Sequence, residues 1–205
     1  MTTSRAAVYV DGFNLYYRAL KNTKLKWLDL QKLSLQVLGP GHKLVAIKYF
    51  TADVSGKIDP GAQQRQAIYL RALKTIPNLS VHKGRFLAKK KQAKRANAPG
   101  FVEVLQMEEK GSDVNLATHL VADGFRGVYD IGVVVSNDTD LVEPIRLVTQ
   151  ELGKTVGLFC PAKYPSKPLK DVASFVRELR PGRLRKAQFP DRIPGTSLRR
   201  PSSWK

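Results

Sequence analysis

The sequence predicts an α/β fold with a central parallel sheet, because short apolar strands alternate with helical segments along most of the chain. The most strand-like segment is Ile131–Val135, whose almost continuous apolarity indicates burial on both faces of a sheet. No internal repeat interrupts the alternation. We therefore expect a three-layer sandwich in which helices cover both faces of the sheet.

The first half of the chain divides into three strands and three helices. Ala6–Val10 is a short apolar run that ends at Asp11-Gly12, a turn sequence. The other predicted strands are Leu44–Phe50 and Leu79–Val81. The predicted helices are Phe13–Leu20, Leu28–Leu38 and Gln63–Thr75.

The second half contains one alternating strand and then a second series of helices and strands. Apolar and polar residues alternate over Phe101–Glu108, which predicts an edge strand or one arm of a hairpin. Ser112 is a good N-cap for a helix that runs to about Asp123. The remaining elements are a helix from about Glu143 or Pro144 to Leu152 and a strand over Thr155–Phe159.

The charge of the chain is strongly positive and unevenly distributed. Thirty-five Lys and Arg against 17 Asp and Glu give a net charge of +18. Seven basic residues and no acid lie between His82 and Ala98, and nine basic residues against two acids lie between Arg177 and Lys205. A solubilising loop and a disordered tail would explain these segments. A polyanionic partner such as nucleic acid explains them better, because Lys and Arg release counterions when they neutralise phosphates.

The composition also sets the domain organisation and the class of protein. We predict one domain over residues 1–178, with a basic insertion at about 83–98, and a flexible Pro/Arg-rich tail over 179–205. A single cysteine, Cys160, excludes an internal disulfide and a multi-cysteine zinc site. The sequence shows no apolar segment long enough to span a bilayer and no secretory leader, so we expect a soluble cytoplasmic protein without a membrane partner.

Four aspartates follow predicted strands or begin a helix. Asp11 follows the first strand, Asp138 and Asp140 follow Ile131–Val135, and Asp113 lies in the first turn of a helix. Each of them alone is well explained as a helix cap. Together they predict a cation site, because ligands bind outside the carboxyl ends of parallel strands and clustered carboxylates repel one another.

The residue types of this predicted cation site indicate which ion it would bind and which chemistry the ion would support. Oxygen ligands without a nearby His or Cys in the sequence favour Mg²⁺ or Mn²⁺ over zinc. Such an ion suits phosphoryl chemistry, since it polarises the phosphate and lowers the pKa of bound water. Asn14 is placed to position a ligand, and Tyr16, Tyr17 and Phe86 are candidates for stacking on bases, although core packing is their commoner fate.

Three segments of the chain resemble the signature blocks of NYN domains, a branch of the PIN-like metal-dependent ribonuclease superfamily. They are Val8-Tyr9-Val10-Asp11-Gly12-Phe13-Asn14, Glu109-Lys110-Gly111-Ser112-Asp113-Val114-Asn115-Leu116-Ala117 and Ser136-Asn137-Asp138-Thr139-Asp140-Leu141. The resemblance covers roughly residues 6–176 and is closest to the bacterial members. It implies the PIN-like strand order 3-2-1-4-5, a Mg²⁺ or Mn²⁺ site and hydrolysis of RNA phosphodiester bonds.

The resemblance also implies roles for individual residues. Asp11, Asp113, Asp138 and Asp140 would bind the metal or hold its waters, Asn14 would support Asp11, and Ser136 would support the turn that presents Asp138. Lys110 is a position for a cation that contacts phosphate. The other candidate nucleic-acid contacts rest on charge alone and are Lys83, Arg85, Lys89, Lys90, Lys91, Lys94 and Arg95.

The expected reaction is in-line attack of water on the scissile phosphorus, which leaves a 5′-phosphate and a 3′-hydroxyl. RNA, single-stranded or structured, is the expected partner, and the superfamily makes a homodimer a further expectation. Two alternatives remain at this stage. One is a non-catalytic RNA- or DNA-binding module with a structural ion. The other is a small-molecule phosphohydrolase, which the missing P-loop sequence makes a weaker candidate.

Overall fold

The structure is a computed structural model that describes residues 3–54 and 59–204. It contains eight strands, which are β1 (Ser4–Asp11), β2 (His42–Thr51), β3 (Leu79–Lys83), β4 (Arg85–Lys94), β5 (Phe101–Lys110), β6 (Ile131–Val135), β7 (Thr155–Cys160) and β8 (Phe175–Glu178). Six of them form one parallel sheet in the order β3-β2-β1-β6-β7-β8, and β4 pairs with β5 as a separate antiparallel hairpin. The predicted order 3-2-1-4-5 is confirmed for the first five sheet strands, and β8 adds a sixth at the edge.

Helices cover both faces of the sheet. They are α1 (Gly12–Leu15, continued as a wider helical turn over Tyr16–Leu20), α2 (Leu30–Leu38), α3 (Pro60–Leu73), α4 (Ser112–Phe125), α5 (Val142–Arg146, continued over Leu147–Glu151), α6 (Lys167–Val172) and α7 (Pro181–Lys186). Single helical turns lie at Thr139–Leu141 and Ser202–Trp204. Within the ranges described, no helix has the length and apolar character needed to cross a membrane.

The central strand β1 explains why the domain has two cores. Ala6, Val8 and Val10 pack into one core with residues of α2 and α3, whereas Ala7 and Tyr9 pack into the other with residues of α4 and α5. Successive side chains of a strand point to opposite faces, so a strand buried on both sides is apolar throughout. The predicted three-layer sandwich is confirmed.

The segment after Arg180 does not form the flexible tail that the sequence predicted. Leu184, Phe189, Ile193 and Trp204 are buried in the same core as α2 and α3. Trp27 fixes the segment through hydrogen bonds, because its indole N–H donates to the Pro190 carbonyl at 2.9 Å and its own carbonyl accepts from the Phe189 N–H at 3.0 Å. The prediction was wrong because isolated apolar residues among Pro and Arg give no periodic signal, although together they bury a substantial surface.

The basic stretch at 83–98 contains β4, one strand of a two-stranded antiparallel ribbon. Arg85 to Lys94 pair in register with Lys110 to Phe101. The prediction of a hairpin arm at Phe101–Glu108 is therefore confirmed. The outer part of the ribbon is exposed, including Phe101 and Leu105, whose side chains are 67% and 54% accessible.

Candidate metal centre and cavity

The site lies where β1 and β6 end side by side. Val10 pairs with Val135, which brings Asp11 next to Ser136 at the carboxyl edge of the sheet. The buried Ser136 hydroxyl donates to Asp11 Oδ2 at 2.8 Å and accepts from the Asp138 backbone N–H at 3.1 Å. One hydroxyl therefore fixes both the first aspartate and the turn that carries the second.

The start of α1 holds Asp11 from the other side. The Asn14 backbone N–H donates to Asp11 Oδ1 at 2.8 Å, and the Asn14 side-chain oxygen accepts from the Asn137 N–H at 3.0 Å. Gly12 permits this close packing, because a Cβ there would lie 2.7 Å from the carbonyl oxygen of Phe50. Asp11 therefore caps α1 and is tied through Asn14 to the loop after β6.

Asp113 reaches the site from the base of the hairpin. Gly111 takes a positive φ of 97° and turns the chain from β5 into α4. The Glu109 carboxylate accepts hydrogen bonds from the Ser112 N–H at 3.0 Å and from the Ser112 hydroxyl at 2.8 Å. These contacts anchor the first turn of α4, in which Asp113 lies.

The structure brings three of the four predicted aspartates together. Carboxylate oxygens of Asp11, Asp113 and Asp138 all lie within 4.8 Å of one another. Asp140 lies outside this group, is exposed, and donates its backbone N–H to Asp138 Oδ1 at 3.1 Å. The predicted set of four ligands is thus a cluster of three with Asp140 at its rim.

The cluster carries uncompensated negative charge. Burial raises the pKa of Asp11 to about 6, and the carboxylates of Asp113 and Asp138 add to the effect. The Asn14 N–H and the Ser136 hydroxyl oppose it by stabilising the charged form. The pKa of Asp113 is also raised, first by burial and then by the charge of Asp138.

The donor set fits a hard divalent cation. The three aspartates offer only carboxylate oxygens, and in the described part of the chain no His or Cys belongs to the cluster. Mg²⁺ and Mn²⁺ prefer such ligands, and a cation at this position would stabilise the carboxylates against both burial and their mutual repulsion.

A cavity of about 340 Å³ opens in front of the acidic cluster. Carboxylates form one side of it, and three aromatic rings with an arginine form the other. Its lining residues are Asp11, Phe13, Asn14, Tyr17, Arg18, Phe86, Glu109, Ser112, Asp113 and Asp138. The cavity therefore combines groups that bind a cation, groups that stack on planar rings and one group that pairs with an anion.

The aromatic side links α1 to the hairpin. The ring of Phe13 lies 5.5 Å from that of Phe86, edge to face, and 6.4 Å from that of Tyr17, nearly parallel. Tyr17 is 59% exposed, which leaves ring surface accessible to a ligand. Of the three predicted stacking residues, Tyr17 and Phe86 line the cavity, whereas Tyr16 packs against the core.

Arg18, Phe13 and Glu109 line the cavity but were not predicted as site residues, and of these Arg18 alone is a cation. It lies four residues after Asn14 and so on the same face of α1, a spacing that could have indicated it. Within residues 3–54 and 59–204, Arg18 forms no salt bridge, although three aspartates line the same cavity. Its guanidinium is therefore available to an incoming anion.

The predicted basic contacts lie outside the cavity. Lys110, Lys83 and Lys90 form salt bridges, with Glu108 at 2.6 Å, Asp53 at 2.5 Å and Glu103 at 2.9 Å respectively. The other predicted contacts are exposed along or just beyond β4, and they are Arg85, Lys89, Lys91, Lys94 and Arg95. They extend as a basic ribbon away from the hairpin base, where Phe86 lines the site.

Comparison with known proteins agrees with this architecture. The chain is 29% identical to the 6-hydroxy-3-succinoylpyridine 3-monooxygenase HspA of Pseudomonas putida, in an alignment that covers 98% of this chain and 75% of the relative. Its fold is similar to the crystal structure of a Vibrio parahaemolyticus protein of unknown function, with a TM-score of 0.59, 19% identity and coverage of 91% and 97% of the two chains. The NYN domain model matches residues 5–179. With the sheet order and the aspartate cluster in place, this match shows that the chain belongs to the NYN domain family.

Proposed function

We propose that this protein is a Mg²⁺- or Mn²⁺-dependent ribonuclease of the cytoplasm. NYN domains belong to the PIN-like nuclease superfamily, and an aspartate cluster is present at the expected sheet edge. The observation that carries the proposal is the grouping of Asp11, Asp113 and Asp138 in one cavity with Arg18 and the aromatic side chains. This combination matches a phosphodiester flanked by a base.

Different side chains of the site would bind the metal ion and the phosphate. Asp11, Asp113 and Asp138 would hold the divalent ion, which supplies Lewis-acid polarisation of the phosphate and a lower pKa for water. Arg18 would pair with a non-bridging phosphate oxygen, and Asp140 at the rim is placed to accept a hydrogen bond from water. Hydrolysis would break the P–O3′ bond and leave a 5′-phosphate and a 3′-hydroxyl.

The charge distribution favours a polynucleotide over a small phosphate ester. The exposed cations of β4 extend well beyond the cavity, and the whole chain carries a net charge of +18. Cations spread along a ribbon contact successive phosphates of a strand, whereas a small substrate reaches only the cavity itself. A polynucleotide is therefore the kind of partner that makes use of the whole surface, and RNA is the polynucleotide that we propose.

The test is a cleavage assay on labelled single-stranded RNA and DNA with Mn²⁺, Mg²⁺ or EDTA. We expect metal-dependent RNA cleavage that falls by at least about a thousandfold in Asp11→Asn/Asp138→Asn, since two ligands of the ion are lost. Asp171→Asn is the matched control, because Asp171 is an exposed acid on α6 that pairs with Lys167 and lies outside the cluster. Full activity in the double variant would exclude this site, and salt-sensitive binding without cleavage would identify a binding module.

A second candidate function follows from the curated relative. That protein is named as a monooxygenase of 6-hydroxy-3-succinoylpyridine, a planar ring with an acidic chain. The cavity of this chain also pairs aromatic rings with Arg18, which suits such a molecule. Against it, monooxygenation needs a reductant and dioxygen, and the chain has no G-x-G-x-x-G sequence for a dinucleotide.

The second candidate is tested with 6-hydroxy-3-succinoylpyridine, dioxygen and a reduced nicotinamide, with and without added flavin. Consumption of the pyridine together with the reductant would favour the oxygenase reading. We expect no turnover above the rate without protein. The same protein preparation assayed on RNA allows the two functions to be compared directly.

A further inference from the structure

A second cavity of about 290 Å³ borders the second half of α1, where Arg18 and Ala19 line it. Its walls come from the segments that follow β7 and β8 and from the start of α7. The floor is apolar, with Pro161 and Leu184 both buried. It therefore opens at the same carboxyl edge of the sheet as the first cavity.

Three cations and one carboxylate line this second cavity. Arg180 lies 3.5 Å from Glu178, so these two partly neutralise each other. Arg18 and Lys163 have no ion-pair partner among residues 3–54 and 59–204. The cavity thus keeps a net positive charge over an apolar floor, which suits a phosphate joined to a less polar group.

Arg18 lines both cavities. The Arg18 side chain therefore lies between the acidic cluster and the second cavity. A strand whose scissile phosphate sits at the aspartates therefore meets Arg18 next and then Lys163 and Arg180. We propose that the second cavity is a subsite for a nucleotide beyond the two that flank the cleaved bond, an inference that rests on the proposed nuclease function.

The subsite is built partly by residues outside the family match. The NYN domain model ends at residue 179, whereas Arg180 and Leu184 follow it. The C-terminal segment that packs on the core therefore also shapes this cavity.

The test measures binding of a fluorescent hexanucleotide and a dinucleotide RNA in EDTA, so that no cleavage is needed. We expect Lys163→Ala/Arg180→Ala to weaken hexanucleotide binding by about tenfold and to leave dinucleotide binding unchanged, because the shorter ligand occupies only the first cavity. Arg185→Ala is the matched control, since Arg185 is exposed on α7, the helix that begins directly after Arg180, but does not line the cavity. In the presence of Mn²⁺, the double variant should raise KM for the hexanucleotide and keep kcat.

The outcomes separate this proposal from the proposed function. The subsite would be overturned, even if RNA is cleaved, by either of two results. One is that Arg185→Ala weakens hexanucleotide binding as much as Lys163→Ala/Arg180→Ala does, and the other is that the double variant does not weaken it. Weakening specific to the double variant supports the subsite. If that occurs in a protein that cleaves no RNA with any metal, the nuclease proposal fails and a strand-binding site remains.

Discussion

At the scale of single residues, the surroundings of Asp11 determine how much free energy its negative charge costs. Its carboxylate is buried, hydrogen-bonded through both oxygens, and close to two further aspartates. Two hydrogen bonds do not compensate for burial and repulsion, so the pKa rises to about 6. The charged carboxylate of Asp11 therefore destabilises the fold unless a cation is bound beside it.

The raised pKa of Asp11 predicts a pH-dependent stability of the metal-free protein. The folded pKa of Asp11 lies above its ordinary value of 3.8, so its contribution to stability is fully present below pH 4 and is lost as the pH rises through 6. We expect this group alone to lower the free energy of unfolding by roughly 3 kcal/mol between pH 3 and pH 7.5. Urea denaturation in EDTA at several pH values measures it.

Asp11→Asn is the control for this prediction, because the amide has no charge to lose or gain. The variant should show a flatter pH dependence than the natural protein, and Mn²⁺ should stabilise the natural protein more than the variant at pH 7.5. Parallel pH profiles for the two proteins would show that Asp11 does not titrate in this range.

At the scale of secondary-structure elements, the hairpin shows what sequence patterns can and cannot predict. Alternation identified the arm at Phe101–Glu108, but its partner β4 contains Lys89, Lys90 and Lys91 in succession and has no apolar period. Lysine has low strand propensity, and pairing with β5 outweighs it. The parallel strands themselves, by contrast, were predicted from apolar runs that the local sequence displays directly, whereas their order was implied by the resemblance to NYN domains.

The exposure of the hairpin predicts that its outer part serves binding and not folding. We expect replacement of residues 89–106 by Asn-Gly to change the melting temperature by less than about 3 °C. The change removes five cations, so affinity for single-stranded RNA should fall and its logarithmic salt dependence should become shallower by about 3. Circular dichroism and fluorescence anisotropy at several salt concentrations provide the measurements.

The hairpin prediction has two ways to fail. Unfolding of the shortened protein would show that the ribbon supports the core. Unchanged RNA affinity and salt dependence would show that RNA binds elsewhere on the molecule, and the second cavity would then be the first place to examine.

At the scale of the whole molecule, the site and the core could be predicted to different extents. Asp11, Asp113 and Asp138 follow strands or begin a helix, so their meeting at one sheet edge could be inferred from chain order. Arg18 reaches the cavity from the face of one helix, and Trp204 reaches the core across 177 residues from Trp27. Such contacts depend on tertiary packing and have no local pattern.

The packing of the C-terminal segment gives the last prediction. The ring of Trp204 lies 6.3 Å from that of Trp27 and 5.9 Å from that of Tyr69, and only 9% of its surface is exposed. Trp204→Ala should therefore lower the free energy of unfolding by about 3 kcal/mol, because it leaves a cavity between aromatic rings, whereas Trp204→Phe should cost less. Urea denaturation is the measurement, and Phe125→Ala, at an exposed position, is the control. Equal stability of Trp204→Ala and the natural protein would mean that the segment leaves the core in solution, and the second cavity would then lose the wall that α7 provides.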